Sequence, residues 1–535
     1  MKKLSWFTQV FPYVALSLYA IFYLYDVGNL SAIRQGTEAL YLNISQEMYD
    51  RGSFLTPYFN GAITWTKPPM HFWLAFPFHF LFFGPSVYTG RLSVLALTLG
   101  FCLFLGFWFK KEKKIPTLLT FFFFATSFGF FRYSRIYMME MTLMVFSTIS
   151  VLAYFSFYKE KKWWWLLIAT LSAGAATLVK GPVSLVMSWA AVGIFHLYEK
   201  WALRKNLPWK EILLYGFIGV FFSSLWFVAC YFKYGYEFID YFFIRENLGK
   251  FSSQSYSPIV LFQGLLTNSL PWTQFIIPAL IIIKKRKQDL DIFLLVSFAV
   301  FFFLWFIPKQ RSHHYAIPSL TFFLSLIWIT LSDFFQQKVQ NKLSSVLSFA
   351  LIIVPFVLFL FSATSLYLDP ETSWLKNIIA LFLAGFTTWN LLKKKNFEVV
   401  ALALFLNLSF LWTVLLPQYF FPLVPNDRVE KLNKMDLRLT VERAYFFKEA
   451  LGKSKPSIDF YIIPQWLENK DTYLLITSGD YEVFGIGKWG KIIDRWPKWK
   501  RRPSREEVKQ AIQTRNIKVL QEEYFLVTGK NFLGI

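Results

Sequence analysis

Apolar runs of membrane-crossing length recur along most of the chain, each closed by a short polar connector. About 20 apolar residues cross the hydrocarbon as a helix, so such runs predict transmembrane spans. Candidates are 9–29, 91–109, 115–131, 137–158, 163–179, 183–198, 211–233, 259–283, 290–307, 314–333, 343–366, 374–392 and 397–417. The connectors test this reading, because Lys and Arg collect in cytoplasmic loops. With Lys2 and Lys3 inside, every second connector is basic: Lys110–Lys114, Lys159–Lys162, Glu199–Lys210, Lys284–Lys287, Gln336–Lys342 and Lys393–Lys395. The alternation requires that 70–84 not cross, and this stretch, with Pro77 and two histidines, suits a helix lying in the interface. The fold class predicted is a polytopic α-helical membrane protein of about thirteen spans, N-terminus inside and C-terminus outside.

The external connectors are then 30–90, Arg132–Glu140, Lys180–Pro182, 234–258, Pro308–Tyr315 and 367–373. In the first of them Thr37 is placed to cap a short helix that runs to about Arg51, where Gly52 stops it. Beyond about residue 420 the pattern changes. A helix over the stretch from Pro425 to Leu451 and strand-like runs at 459–464, 472–478 and 518–529 predict a small soluble α+β domain at 421–535.

Composition sharpens this picture. The chain is 55% hydrophobic and 21% aromatic with 64 Phe, far more than a soluble core uses, and lipid-facing surface accounts for the excess. The net charge of +23 would suggest nucleic acid in a soluble protein; here it records topology, and no nucleic-acid partner is expected. Cys102 and Cys230 lie within apolar runs and supply neither a disulfide framework nor metal-ligand spacing. The N-terminal MKKLSWFTQ leads into an apolar run without a small-residue cleavage site and reads as an uncleaved first span.

The ionisable residues that are unusual for such a chain gather in or beside the external connectors: Glu38, Lys67, Arg132, Arg135, Glu140, Lys180, Arg245, Glu246, Lys250, Lys309, Arg311, His313 and His314. Charges at span ends are costly unless paired or wet, so they mark function more often than chance; the plainer alternative is snorkelling to the headgroups. For Glu140 the structural alternative is a pair with Arg132 or Arg135. Lys180, followed by Gly181 and Pro182, presents an ammonium where a lipid phosphate would lie.

Several of these stretches carry a resemblance. The opening loop reads Thr37-Glu38-x-x-Tyr41-x-x-Ile44-x-x-Glu47-Met48, then Gly52-x-Phe54-x-x-Pro57, then Thr66-Lys67-Pro68-Pro69. It resembles the first external loop of GT-C type lipid-linked glycosyltransferases, in the bacterial family of the lipid A aminoarabinose transferase, with protein O-mannosyltransferases more distant. The family reads D-E-x-x-Y-x-x-I-x-x-E-M, G-x-W-x-x-P and E-K-P-P there. Ala176–Pro182 is similar to its A-x-L-x-K-G-P segment, Tyr236–Phe251 to its E-F-x-x-Y-F-x-x-E-H-x-x-R-F loop, and Lys309–Pro318 to its K-x-x-x-x-Y-x-x-P pattern, with Arg311 as the Lys in a shifted register. Pro271 and Trp272 match a further signature. The likeness covers about residues 1–420.

What the resemblance implies is an inner-membrane enzyme working at the periplasmic face. It would move a sugar from a polyprenyl-phosphate donor to a lipid A or other glycolipid acceptor, a protein acceptor being possible. Glu38 and Glu140 would be the catalytic carboxylates, with Thr37 where the family has its Asp. Tyr41, Lys67, Lys180, Arg245, Glu246, Lys250, Lys309, Arg311, His314 and Tyr315 would bind substrates. Thr66 and Asn247 stand where the family has the Glu and His of a structural metal, so no zinc site is carried over; no cofactor is expected and a divalent metal stays open. A monomer in the bilayer is expected. The rival classes are a lipid or solute transporter, for which neither inverted repeats nor mid-membrane charges are visible, and a polyprenyl-phosphate-binding protein that has lost transfer through Thr37.

Overall fold

The computed structural model describes residues 17, 21, 23–25, 27, 36–59, 61–248, 257–286, 288–309, 311–335, 349–369, 374–393, 397–419, 425–440, 457–458, 460–469, 471–500 and 503–529. Most of the expected span 9–29 and the start of 343–366 lie outside them. The chain groups into two compact units, one built on Tyr41–Ile353, the other on Val354–Lys395 and Leu402–Ile535 together with Ser17–Leu40.

The helices are α1 (Gly36–Asp50), α2 (Val87–Lys113), α3 (Met139–Glu160), α4 (Trp163–Lys180), α5 (Val183–Ala202), α6 (Trp209–Tyr234), α7 (Ile259–Asn268), α8 (Thr273–Arg286), α9 (Asp289–Phe303), α10 (Ile317–Phe335), α11 (Ile353–Leu368), α12 (Trp374–Leu392) and α13 (Phe397–Phe410). Among the described residues eight helices are long and apolar enough to cross a membrane, or nine if α7 and α8 form one span. The fold is a polytopic helical membrane protein.

Two expected spans are broken, each for a local reason. At 115–131 the helix stops at Ala125 and restarts at Phe128. The hydroxyls of Thr126 and Ser127 donate to the carbonyls of Phe122 and Phe124 at 2.7 and 2.9 Å, which offers the backbone an alternative to continuing. At 259–283, α7 and α8 meet at 104°. Pro271 sits in the break and has no N–H to carry the ladder on.

Within the first unit α3 and the helix carrying α10 are innermost, 83% and 94% buried, while α6 is only 22% buried and turns its Phe and Leu residues outward. Many of the hydroxyls inside are satisfied within their own helices: Ser147 donates to the Leu143 carbonyl at 2.6 Å and Thr98 to that of Val94 at 2.7 Å. Small residues allow close approach, and a Cβ on Gly106 would stand 2.6 Å from the carbonyl oxygen of Thr117.

The stretch 70–84 does not cross. It forms two short helices, Met70–Trp73 and Phe76–Leu81, which bury His71, Phe72, Phe76 and His79 and leave Phe80–Phe83 exposed, the division an interfacial segment needs. The opening loop ends α1 at Gly52, left-handed at φ 61°, and adds a hairpin of β1 (Tyr58–Phe59) and β2 (Ala62–Ile63). Thr37 does not cap this helix: α1 begins at Gly36, so Thr37 lies in its first turn, exposed. An aromatic cluster of Trp65, Trp226, Phe238 and Phe242 pins the loop to α6, helped by the Trp226 indole N–H donating to the Leu55 carbonyl at 2.9 Å.

The second unit contains α11–α13 and a five-stranded sheet of β3 (Asp436–Thr440), β4 (Ser457–Ile458), β5 (Thr472–Thr477), β6 (Gly490–Trp499) and β7 (Gln521–Gly529), ordered β4-β3-β5-β7-β6. β3 pairs in parallel with β4 and β5; β7 is antiparallel to β5 and β6. Ile463, Leu467, Leu474, Ile476 and Val527 form its core, and α14 (Arg505–Thr514) follows β6. One strand expectation changes, and one strand was not expected. The run at 459–464 enters a helix, Ile463–Glu468, with Pro464 in its first turn, where a missing N–H costs nothing. The run Gly490–Trp499 is a strand despite Pro497, because β6 is an edge strand. Of the expected helix over 425–451, Asn426–Lys434 is helical, residues 436–440 are β3, and 441–450 lie outside the described residues.

Candidate active site

Glu140 is the centre of the polar residues in the first unit. It sits in the first turn of α3, 3% exposed, where an isolated carboxylate would be expensive. Its Oε1 is 3.3 Å from the Lys180 ammonium and 3.5 Å from His314 Nε2. Its Oε2 is buried and has no hydrogen-bond partner among the described residues. The partners of Glu140 are thus Lys180 and His314 rather than Arg132 or Arg135, whose guanidinium groups lie over the rings of Phe128 and Tyr133, and of Phe131.

Lys180 is the last residue of α4, and its ammonium also lies over two rings, 4.9 Å from Trp305 and 4.3 Å from Tyr315. The turn behind it needs Gly181: φ is 90°, and a Cβ would approach Phe242 to 3.3 Å. His314 and Tyr315 reach the site from a one-turn 3-10 helix, His313–Ala316, and Ser312 Oγ lies 2.9 Å from His314 Nδ1. Nε2 of His314 thus faces the Glu140 carboxylate at the limit of hydrogen-bond distance.

A second pair comes from the opening loop. Lys67 Nζ is 2.7 Å from Glu246 Oε1 and donates to the Thr66 carbonyl at 2.6 Å. Glu246 lies in a π-helical stretch, Asp240–Asn247, a geometry that often marks functional sites. Tyr41 of α1 is wholly buried within reach of both pairs. Burial, then the charges of Glu140, Tyr315 and Glu246, hold its phenol well above the ordinary range, so it stays protonated.

The sequence reading missed His71. It is fully buried two residues after the Pro-Pro pair, its Nδ1 2.9 Å from Thr142 Oγ1 and its ring stacked on Tyr137 at 4.2 Å. Nε2 is buried without a hydrogen-bond partner among the described residues. Burial pushes this imidazole down to about 3 against the pull of Glu140, which keeps it neutral. A histidine among apolar neighbours, on a helix too short to satisfy it, was the available signal.

Other expected residues do not join this cluster. Arg245 is exposed and pairs with Asp240 at 2.5 Å, while Lys309 and His313 are exposed. Of the two alternatives in that turn Arg311 is the half-buried one, and its guanidinium donates to the Phe306 carbonyl at 2.6 Å. Lys250 lies outside the described residues. Thr37 is exposed, whereas Glu38 is buried in the first turn of α1. Asn247 Nδ2 donates to the Phe242 carbonyl at 2.6 Å, and no group of three or more His, Cys, Asp or Glu among the described residues is placed to hold a metal.

The dolichyl-phosphate-mannose-protein mannosyltransferase family matches residues 10–238. An uncharacterized protein of Aquifex aeolicus (strain VF5) is 27% identical over 483 residues, 88% of this chain and 91% of that protein. The undecaprenyl phosphate-alpha-4-amino-4-deoxy-L-arabinose arabinosyl transferase of Yersinia pestis (strain Pestoides F) is 23% identical over 321 residues. That alignment takes in 56% of each chain, so only just over half of the named relative is spanned. The crystal structure of ArnT from Cupriavidus metallidurans bound to undecaprenyl phosphate superposes with a TM-score of 0.69 at 14% identity, over 96% of this chain and 97% of that one.

The fold is therefore that of a polytopic GT-C membrane protein. The named proteins that this chain is similar to are of the aminoarabinose transferase and protein mannosyltransferase type, the resemblance that the loop motifs carry.

Proposed function

We propose that this chain transfers a sugar from a polyprenyl-phosphate carrier to a glycolipid acceptor such as lipid A or its core, at the outer face of the bacterial inner membrane. In this reading the N-terminus is cytoplasmic and residues 421–535 form a domain on the outer side. The observation that carries the proposal is Glu140: a buried carboxylate with one oxygen engaged by Lys180 and His314 and the other buried without a hydrogen-bond partner among the described residues. The undecaprenyl phosphate in the similar structure and the arabinosyl transferase activity in the name of the Yersinia relative support the choice of donor.

In the reaction the bond between the anomeric carbon and the carrier phosphate breaks, and a bond from an acceptor oxygen to that carbon forms. The phosphate leaves with both electrons, so it needs cations. Lys180 is aimed from a helix end and Lys67 comes from the opening loop, and charge stabilisation in a site shielded from water is usually the largest single catalytic effect. The second oxygen of Glu140, which has no hydrogen-bond partner among the described residues, is suited to take the acceptor hydroxyl's proton, and Tyr41 and His71 to orient hydroxyls as neutral groups. An acceptor that is itself an anionic phosphate needs no base, and Glu140 would then position it.

Mass spectrometry of envelope glycolipids tests this. A deletion strain should lose one sugar residue from a glycolipid, regain it with the wild-type gene, and fail to regain it with Glu140→Gln. An unchanged glycolipid profile in the deletion strain would sink the proposal.

A further inference from the structure

The C-terminal helix α14 carries a surface that transfer does not use. Ser504 caps it, accepting from the Glu507 N–H while the Glu507 side chain accepts from the Ser504 N–H. Inward it shows Ala511, 1% exposed, and Glu507, held by Lys500 at 2.6 Å. The rest of the helix divides into two arcs. Arg505, Val508, Lys509 and Ile512 fall within about 100° of one another at 3.6 residues per turn. All four are exposed, Val508 at 39% and Ile512 at 50%. The opposing arc is Glu506, Gln510, Gln513 and Thr514, without a cation or an apolar side chain. Basic and apolar positions sharing one arc, with the acid on the other, is the pattern of a helix that lies on a membrane.

The same compact unit fixes the height of this helix. Arg515, left-handed at φ 51°, ends α14, and its guanidinium lies 4.7 Å over the ring of Tyr367, the penultimate residue of membrane helix α11. Nearby, Trp499 at the end of β6 meets Tyr419 edge-on at 6.0 Å, a few residues past α13. Tyr367 near the end of α11 and Trp374 at the start of α12 are 44% and 65% exposed, as aromatic residues at headgroup level are. The end of α14 therefore stands beside the end of a membrane helix.

We propose that α14 docks on the anionic headgroup layer of the surrounding bilayer, Arg505, Lys509 and Arg515 meeting lipid phosphates while Val508 and Ile512 enter the acyl boundary. This surface is separate from the Glu140 cluster and does not rest on the transferase reading.

The test uses the full chain in nanodiscs of phosphatidylcholine alone or with about a third phosphatidylglycerol. Near an anionic surface each basic residue is worth roughly fivefold in binding. Amide exchange across 505–515 should slow several-fold in the anionic discs, and Arg505→Gln with Lys509→Gln should erase the difference. An environment-sensitive dye on Ile512→Cys, which labels selectively because Cys102 and Cys230 are buried, should shift to the blue in anionic discs only. Equal exchange in the two lipids, or water-like dye emission in both, overturns the proposal; a shift that survives the double substitution overturns the role given to the cations.

Discussion

Glu140 illustrates how far single residues were readable. A carboxylate at the head of an apolar helix stands out in any sequence, and so does Lys180 before Gly181-Pro182. Their pairing does not, because 40 residues separate them and only the antiparallel packing of α3 and α4 brings them to 3.3 Å. His71 was overlooked because burial, which makes it informative, is invisible in a string of letters. Replacing Lys180 by Ala removes a charge-assisted contact and strands a buried carboxylate. A loss on the order of 2–3 kcal/mol, roughly 30- to 150-fold in donor use, is expected from turnover of purified protein. Wild-type turnover in a folded variant would show that Lys180 only snorkels. Glu140→Gln should lower transfer by about tenfold or more, since a positioned base contributes on the order of a hundredfold, and a like loss in Glu38→Gln would show that this buried carboxylate outside the cluster also takes part. Thr37→Asp, at an exposed position, should be tolerated. Silence of both glutamine variants would point to a phosphate acceptor or away from transfer.

Elements were legible where periodicity and length agreed, as in α2, α3 and α6, and illegible where side chains compete with the backbone. The break at Thr126–Ser127 depends on hydroxyls turning back to carbonyls, and the same residues sit harmlessly inside other helices. The turn carrying His314 depends on close packing: a Cβ on Gly264 of α7 would come within 2.1 Å of the His313 carbonyl oxygen, a backbone atom that cannot swing aside. Gly264→Ala should displace His314 and Tyr315 and depress transfer while the protein still inserts, which activity and expression measured together will check. The interfacial helices make a further prediction. Burial pushes His71 down to about 3 and His79 to about 4, so the fold holds both neutral. Above pH 6.5, their ordinary value, neither state takes up a proton and they contribute nothing. Below it only the unfolded chain does, so stability should fall progressively toward pH 4. Thermal unfolding in detergent should show that slope, and His79→Gln should flatten it; an unchanged slope would argue against a neutral buried ring.

At the scale of the whole molecule, alternating basic connectors indicated a membrane protein with many spans, and the helices bear that out. The order of elements in the C-terminal sheet was out of reach, because strand pairing is a long-range property. The predicted sidedness remains to be measured: reporters after Lys114 or Lys287 should read cytoplasmic and one after Ile535 external, and a cytoplasmic C-terminus would overturn the map. The last consequence concerns β6. It is an edge strand that contains Pro497, shifts register between Ile492 and Asp494, and exposes Lys491 and Arg495. A missing N–H, a bulge and outward charges are three separate obstacles to a strand from another molecule adding on. At the opposite edge β4 is two residues long, too short a template. Among the described residues, the β6 edge is thus guarded against strand addition. Pro497→Val with Arg495→Val should reopen the edge, and light scattering of the purified variant should then show oligomers that the parent does not form.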